Sequence, residues 1–254
     1  MLGSGSGGNA VVLESGSARL LIDAGFSCRE IERRMAQRGA DPTSFKSVFL
    51  THEHDDHCRG IDRFCRRFGA SLHATAGTLA GLPLSEAAAG AARPVRSGEK
   101  YEVGGFEVEP FLVPHDAREP VGVVVEDAAG RRIGLVADLG SRSRLAWGRL
   151  VDLDLLILET NHDLDMLRNG PYPWALKQRV AGRHGHLSNH DAAEGLTELV
   201  TERLECVVLY HLSRTNNLPA LAASAVGEAL DRVRSPTRMV VSAQDEPTPW
   251  LEIR

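Results

Sequence analysis

The chain has 254 residues, a net charge of −5 and four cysteines. That length fits one domain, residues 1–254, with a sizeable core, and the acidic balance excludes bulk attraction to nucleic acid; such a partner would need local Arg-rich faces. No apolar stretch is long enough to span a membrane, no signal-like leader opens the chain, and Cys28, Cys58, Cys65 and Cys206 lack C-x-x-C spacing, so a cytoplasmic protein with buried thiols is expected.

The opening Gly3-Ser4-Gly5-Ser6-Gly7-Gly8-Asn9 has the composition of a flexible tag remnant, unless it belongs to the fold. Residues 10–14 and 18–23 then read as two strands around the turn Ser15-Gly16-Ser17. Residues 28–38 read as a helix: Ile31 and Met35 form its apolar face, Arg29, Arg33, Arg34 and Arg38 lie mostly outside, and Gly39 stops it. The run Val48-Phe49-Leu50 is a strand, and Ile61, Phe64, Cys65 and Phe68 are spaced as a buried helix face. Strands follow at 70–74, 106–112, 121–126 and 131–137, with Gly130-Arg131 at a hairpin turn. The Ala-rich segment 83–92 is weakly informative. After a strand at 155–158, residues 163–168, 173–181 and 190–202 read as helices, and the chain closes with strand 206–210, helix 218–233 and strand 238–242.

The most telling segment is Thr51-His52-Glu53-His54-Asp55-Asp56-His57. Three imidazoles and a carboxylate in the pattern His-x-His-x-Asp-His make poor core filler, and several imidazoles held together repel as they protonate. Divalent metal ions explain the cluster better than a solvated loop, since neutral imidazole suits zinc and other first-row metals.

This loop resembles the signature of the metallo-β-lactamase superfamily, whose other motifs follow in order. They are Asp23 after Leu20-Leu21-Ile22, Gly60 after the His loop, His115 after Val113-Pro114, Asp138 after Ile133 to Ala137, and His211 after Cys206 to Tyr210. The resemblance implies an α/β fold, a four-layer αββα sandwich. It implies that His52, His54 and His115 hold one ion, that Asp56, His57 and His211 hold a second, and that Asp138 bridges both, the metal being zinc or manganese. Asp23 would orient the His loop from behind. Seven ligands around two ions leave room for a bridging water, which the ions acidify into a hydroxide nucleophile near neutral pH.

Further segments resemble the YycJ (WalJ) branch of the superfamily, a set of bacterial 5′-end DNA exonucleases linked to mismatch repair. They are the Gly-Ser-rich start to Asn9, Glu159-Thr160-Asn161-His162-Asp163, Gly170 to Arg179, Gly185 to Asn189, and His211 to Asn217. In Gly185-His186-Leu187-Ser188-Asn189 the arrangement is similar to the His-x-Thr segment of tRNase Z-type phosphodiesterases, which implies that His186 protonates the leaving oxygen; with Asp56 it forms the expected catalytic set. The helix start after Ser188-Asn189 would offer N–H groups to a phosphate, unless those residues only cap it. Asn161 and His162 would orient a ligand or touch substrate, or His162 would cap a turn. Arg214 is either a phosphate contact or a surface residue.

The Arg29/Arg33/Arg34 and Arg63/Arg66/Arg67 sets either track a nucleic-acid backbone or form solvated faces. No aromatic interleaving marks base stacking, so DNA binding would be backbone-driven and salt-sensitive. The expected activity is therefore a binuclear metal-dependent phosphodiesterase, a 5′-to-3′ DNA exonuclease. The alternatives are an RNA-processing nuclease, a small-molecule hydrolase of the same fold acting on a lactone, thioester or cyclic phosphate, and a non-catalytic partner that keeps the fold.

Overall fold

Near-continuous Val/Leu/Ile runs mark strands covered on both faces, and the computed structural model, which describes residues 1–254, supplies both covers. Strands β1 (Val11–Ser15) and β2 (Ala18–Ile22) form an antiparallel hairpin. Strands β3 (Ser47–Phe49), β4 (Ser71–Thr75) and β5 (Ala92–Val95) add to it in parallel, in the order β1-β2-β3-β4-β5. The second sheet has seven strands. From one edge, β6 (Tyr101–Val103), β7 (Phe106–Leu112), β8 (Val121–Glu126) and β9 (Arg132–Val136) run antiparallel. Strands β10 (Leu155–Glu159), β11 (Cys206–Tyr210) and β12 (Arg238–Val241) continue it in parallel. Each sheet thus begins with antiparallel strands and ends with parallel ones.

Period-2 alternation sorts each strand's side chains into two cores. Leu20, Ile22, Phe49, Val123, Leu135, Ile157 and Val208 meet between the sheets. On the outer face of the first sheet, Leu21, Val48 and Leu72 receive Ile31 and Met35 of α1 (Cys28–Gln37) and Phe64 of α3 (Ile61–Phe68), α2 (Asp55–Cys58) lying between those helices in the chain. On the outer face of the second, Val136, Leu156, Leu158, Val207 and Leu209 pack against residues of two helices, Asn189–Leu199 and Pro219–Arg232, such as Leu196 and Val226. Helix, sheet, sheet, helix is the four-layer order.

Several short elements were not legible. They are α4 (Ala76–Ala80), α5 (Glu86–Gly90) inside the Ala-rich segment, α6 (Arg144–Trp147), β5 and β6. Each is five residues or fewer, too short for a periodic pattern to emerge. The remaining helices are α7 (Leu164–Asn169), α8 (Trp174–Val180), α9 (Asn189–Leu199) and α10 (Pro219–Arg232), each within a few residues of expectation.

One expectation is corrected and one open alternative is decided. Arg34 is buried, not exposed. It stacks over Phe26 and donates to the carbonyls of Leu2 and Gln244, which ties α1 to both chain ends. The Gly/Ser-rich opening is also no loose tag: Gly3 bridges Ala10, Ser4 N donates to Ala243 O, and Ser4 and Asn9 are buried.

Candidate metal centre

The motif residues converge on one edge of the sandwich because each follows the C-terminal end of a strand. Asp23 follows β2, the His loop follows β3, His115 lies past β7, Asp138 past β9, and His211 directly after β11. Asp23, Asp138 and His211 have φ of 60°, 54° and 58°. This left-handed conformation costs roughly 1–3 kcal/mol per residue and persists only where packing over-determines it; all three residues are buried. Within the His loop, His54 caps α2, whose single turn presents Asp56 and His57 together. Gly25 allows that turn to approach, since a Cβ there would meet Asp56 O at 1.7 Å.

Two ligand-like sets result. In the first, His52, His54 and His115 bring their ring nitrogens together, with His115 Nε2 3.2 Å from His54 Nδ1. In the second, Asp56 Oδ2 lies 3.2 Å from His211 Nε2 and 3.8 Å from His57 Nε2. Asp138 stands between them, its Oδ2 3.5 Å from His52 Nε2 and 2.7 Å from His57 Nε2. His52 Nε2 is buried without a hydrogen-bond partner, and Asp138 Oδ2, close as it is to His57 Nε2, makes no well-angled hydrogen bond. Orphaned polar atoms of this kind cost about 1–3 kcal/mol each, and a shared cation would satisfy both, so the donor set fits divalent ions.

A surrounding layer holds these rings. His115 Nδ1 faces the carbonyl of Gly185 at 3.0 Å, which can only accept, so the proton sits on Nδ1 and Nε2 keeps its lone pair. Asp23 Oδ2 lies 2.7 Å from His57 Nδ1 while Oδ1 accepts from Thr51 N and Oγ1. Asn161 Nδ2 donates to His211 O. Asn9, which sequence reasoning did not place in the site, puts Nδ2 3.1 Å from His57 Nε2 and its backbone N–H onto Asp56 O; Ser4 Oγ accepts from His211 N and donates to Asn9 Oδ1.

The larger omission is Glu159, the fully buried last residue of β10. Its Oε2 accepts from Leu139 N and Leu187 N, and its Oε1 lies 2.8 Å from His186 Nδ1 and 3.2 Å from His211 Nδ1. His186 Nδ1 is also 3.0 Å from Asp138 Oδ1. Burial alone would lower the His186 pKa, but the Glu159 and Asp138 carboxylates outweigh it and hold the imidazole well above its ordinary value. Burial would raise Glu159, yet His186 and His211 bring it down to about 2. The sequence signals were its place at the head of the Glu159 to Asp163 motif and an acidic residue closing an all-apolar strand.

The sets open into a cleft of about 380 Å³ lined by His54, Asp56, Asn161, His186 and His211 together with Tyr172 and Arg179. A larger cavity of about 510 Å³ between the sheets, under the C-terminal tail, has no imidazole or thiol and so lacks the chemistry. Other candidates lie outside the cleft wall. Ser188 caps α9 by accepting from Asp191 N; Asn189 donates its backbone N–H to His162 O and its side-chain amide to Asn217. His162 is buried, and desolvation brings it down to about 4. Arg214 is exposed and paired with Asp245. Arg33 pairs with Glu30, Arg66 with Asp62 and Arg67 with Glu32, as solvated ion-paired faces do.

Residues 18–212 match the family model described as the beta-lactamase superfamily domain. The chain belongs to the metallo-β-lactamase superfamily and is a metal-dependent hydrolase. Within that superfamily it falls in the YycJ/WalJ branch. It is 33% identical over 228 residues to the exodeoxyribonuclease WalJ of Streptococcus pneumoniae serotype 2, covering 87% of this chain and 84% of the relative. It is 31% identical over 238 residues to the exodeoxyribonuclease YycJ of Bacillus anthracis, covering 91% and 88%. Among solved structures, the metallo-β-lactamase fold protein YhfI from Bacillus subtilis superposes with a TM-score of 0.71 at 14% identity, over 96% of this chain and 94% of that one, a likeness of fold alone.

Proposed function

We propose that this chain is a binuclear metal-dependent DNA exonuclease that degrades from the 5′ end and serves DNA mismatch repair in the cytoplasm. Relatives named exodeoxyribonucleases at 31–33% identity support the substrate class. The observation that carries the reading is His186, held by two carboxylates at the cleft into which both ligand sets open. An alkoxide leaves a phosphodiester poorly without a proton donor, whereas a lactone or thioester hydrolase has no need of this second carboxylate–imidazole unit.

His52, His54 and His115 would hold one zinc or manganese ion and Asp56, His57 and His211 the other, with Asp138 shared. When bound, the ions supply an acidified water and draw charge from the phosphoryl oxygens. Glu159 accepts the Nδ1 hydrogen of His186, which leaves Nε2 as the ring nitrogen that delivers a proton to the departing oxygen. Asp23 and Asn9 keep the His loop in register, and Asn161 steadies His211.

The test is metal-replete protein on 5′-labelled and 3′-labelled DNA duplexes and on matched RNA. Mononucleotide release from the 5′ end of DNA is expected. Release from the 3′ end corrects the polarity, faster cleavage of RNA favours an RNA-processing role, and no cleavage of either returns the chain to the small-molecule hydrolases. His186→Ala should lower turnover on DNA by roughly a hundredfold with both ions retained. The loss should shrink on a p-nitrophenyl phosphodiester, whose leaving group needs no proton.

A further inference from the structure

The cleft wall is acidic, with Asp55, Asp56 and Asp116, and Arg179 is the only Lys or Arg among its lining residues. Arg179 lies near the end of α8. The surrounding stretch, residues 164–186, carries Arg168, Lys177, Arg179 and Arg183 against a single acid, Asp165, in a chain whose net charge is −5. The most basic segment at the cleft therefore adjoins the first ligand set, Arg179 reaching it through Asp116.

Arg179 is built to exchange partners. Its Nε donates to Asp116 Oδ2 at 2.6 Å, while its two Nη groups have no protein partner and the side chain is 62% exposed. An exposed ion pair of this kind is weak. Asp116 adjoins the first ligand set, its Oδ1 lying 3.4 Å from His115 Nε2 and 4.0 Å from His54 Nε2. The backbone beneath Arg179 is fixed relative to His186: His186 N donates to Val180 O at 2.8 Å, and a Cβ on Gly185 would meet Arg179 O at 2.1 Å. Tyr172, seven residues before Arg179, also lines the cleft.

We propose that Arg179 is the backbone-phosphate clamp of this cleft, leaving Asp116 to grip a phosphate next to the scissile one while Tyr172 stacks on the neighbouring base. The guanidinium fork matches a phosphate bidentately, and a base stacks on an aromatic face regardless of its identity. The proposal rests on the nuclease reading of the same cleft and adds one aromatic contact to a binding mode expected, without aromatic interleaving in the sequence, to be backbone-driven.

The experiment measures kcat, KM and salt dependence on a DNA oligonucleotide for the metal-loaded wild type, Arg179→Met, Arg179→Lys and Asp116→Asn, with metal content as a check on the centre. Arg179→Met should raise KM about tenfold with a much smaller change in kcat, and should lower the slope of log affinity against log salt by about one. Arg179→Lys should restore the slope but only part of the affinity. Asp116→Asn is decisive: a clamp freed from its carboxylate keeps or improves KM, whereas an Arg179 that merely braces Asp116 makes Asp116→Asn behave like Arg179→Met. Tyr172→Ala should weaken oligonucleotide binding about fivefold or more without changing the slope. The clamp is overturned if wild type cuts DNA while Arg179→Met keeps its KM and salt slope, or if Asp116→Asn reproduces its losses. A wild type that cuts no nucleic acid overturns the nuclease reading itself, and the clamp with it.

Discussion

The two ends of the metal centre use the same side chain in opposite protonation states. At the first end, His52 and His115 are buried among other imidazoles; desolvation dominates, and His52 is held well below the ordinary histidine value and His115 below it. At the second end burial is as complete, yet Asp138 and its neighbouring carboxylates outweigh it, lifting His57 well above the ordinary value and His211 up to about 9. Burial does not distinguish the ends; carboxylate placement does. Asp23, Asp56, Asp138 and Glu159 surround the second set, while the first has a buried carboxylate only on the Asp138 side. His52 and His115 therefore stand neutral, whereas His57 and His211 hold protons that a bound cation would have to displace.

The largest effect that tests this contrast is expected at the residue common to both ends. Asp138→Ala removes the carboxylate facing His52, His57, His186 and His211. Metal-replete variant should carry fewer than two ions per chain and lose about a thousandfold in turnover, since a catalytic cation is worth several kcal/mol. Elemental analysis giving two tightly held ions would break the shared-bridge reading. His54→Ala should instead weaken the first site while leaving one ion at the second.

Proton competition is expected next in size. With the His211 pKa raised to about 9 in the metal-free fold, its stabilising proton is fully present below about 6.5, the ordinary histidine value, and is lost as pH rises through about 9. Metal-free protein should therefore lose stability from this group across that window. Metal loading should release protons at pH 7.5, and affinity should rise about tenfold per pH unit for each proton displaced. Calorimetry in buffers of different ionisation heat measures the release. A metal affinity flat from pH 6.5 to 9 would show the second end to be as free of protons as the first.

The smallest of these effects separates the ends from outside. Among the candidate ligands Asn9 contacts only His57 and Asp56, so Asn9→Ala should weaken metal binding at the second set roughly tenfold, in the range of outer hydrogen bonds to ligands, and leave the first unchanged. Equal weakening of both sets would mean that the N-terminal loop supports the whole centre.

How much was legible follows from where the information lies along the chain. The His loop packs four chemical groups into six residues, and Asp23, His115, Asp138 and His211 each follow a recognisable apolar run, so candidates could be named one by one. The individual strands were legible because strands covered on both faces read as unbroken apolar runs, whereas their layering came from the resemblance to the superfamily. Glu159 was hidden because its partners lie 27 and 52 residues away. Asn9 was hidden because a glycine-rich opening has no periodicity.

Residue types, strand ends and the metal-binding character of the site were determined by the sequence alone, since all three are local. Which imidazoles carry protons, that Arg34 is a buried strut, and that Arg179 rather than Arg214 faces the cleft were decided only by the tertiary structure. The reason is electrostatic. Protonation and partner choice depend on a balance between desolvation and the nearest opposite charge over a few ångströms, and in this chain that charge is gathered from both halves of the sandwich, Asp23 and Asp56 from the first and Asp138 and Glu159 from the second.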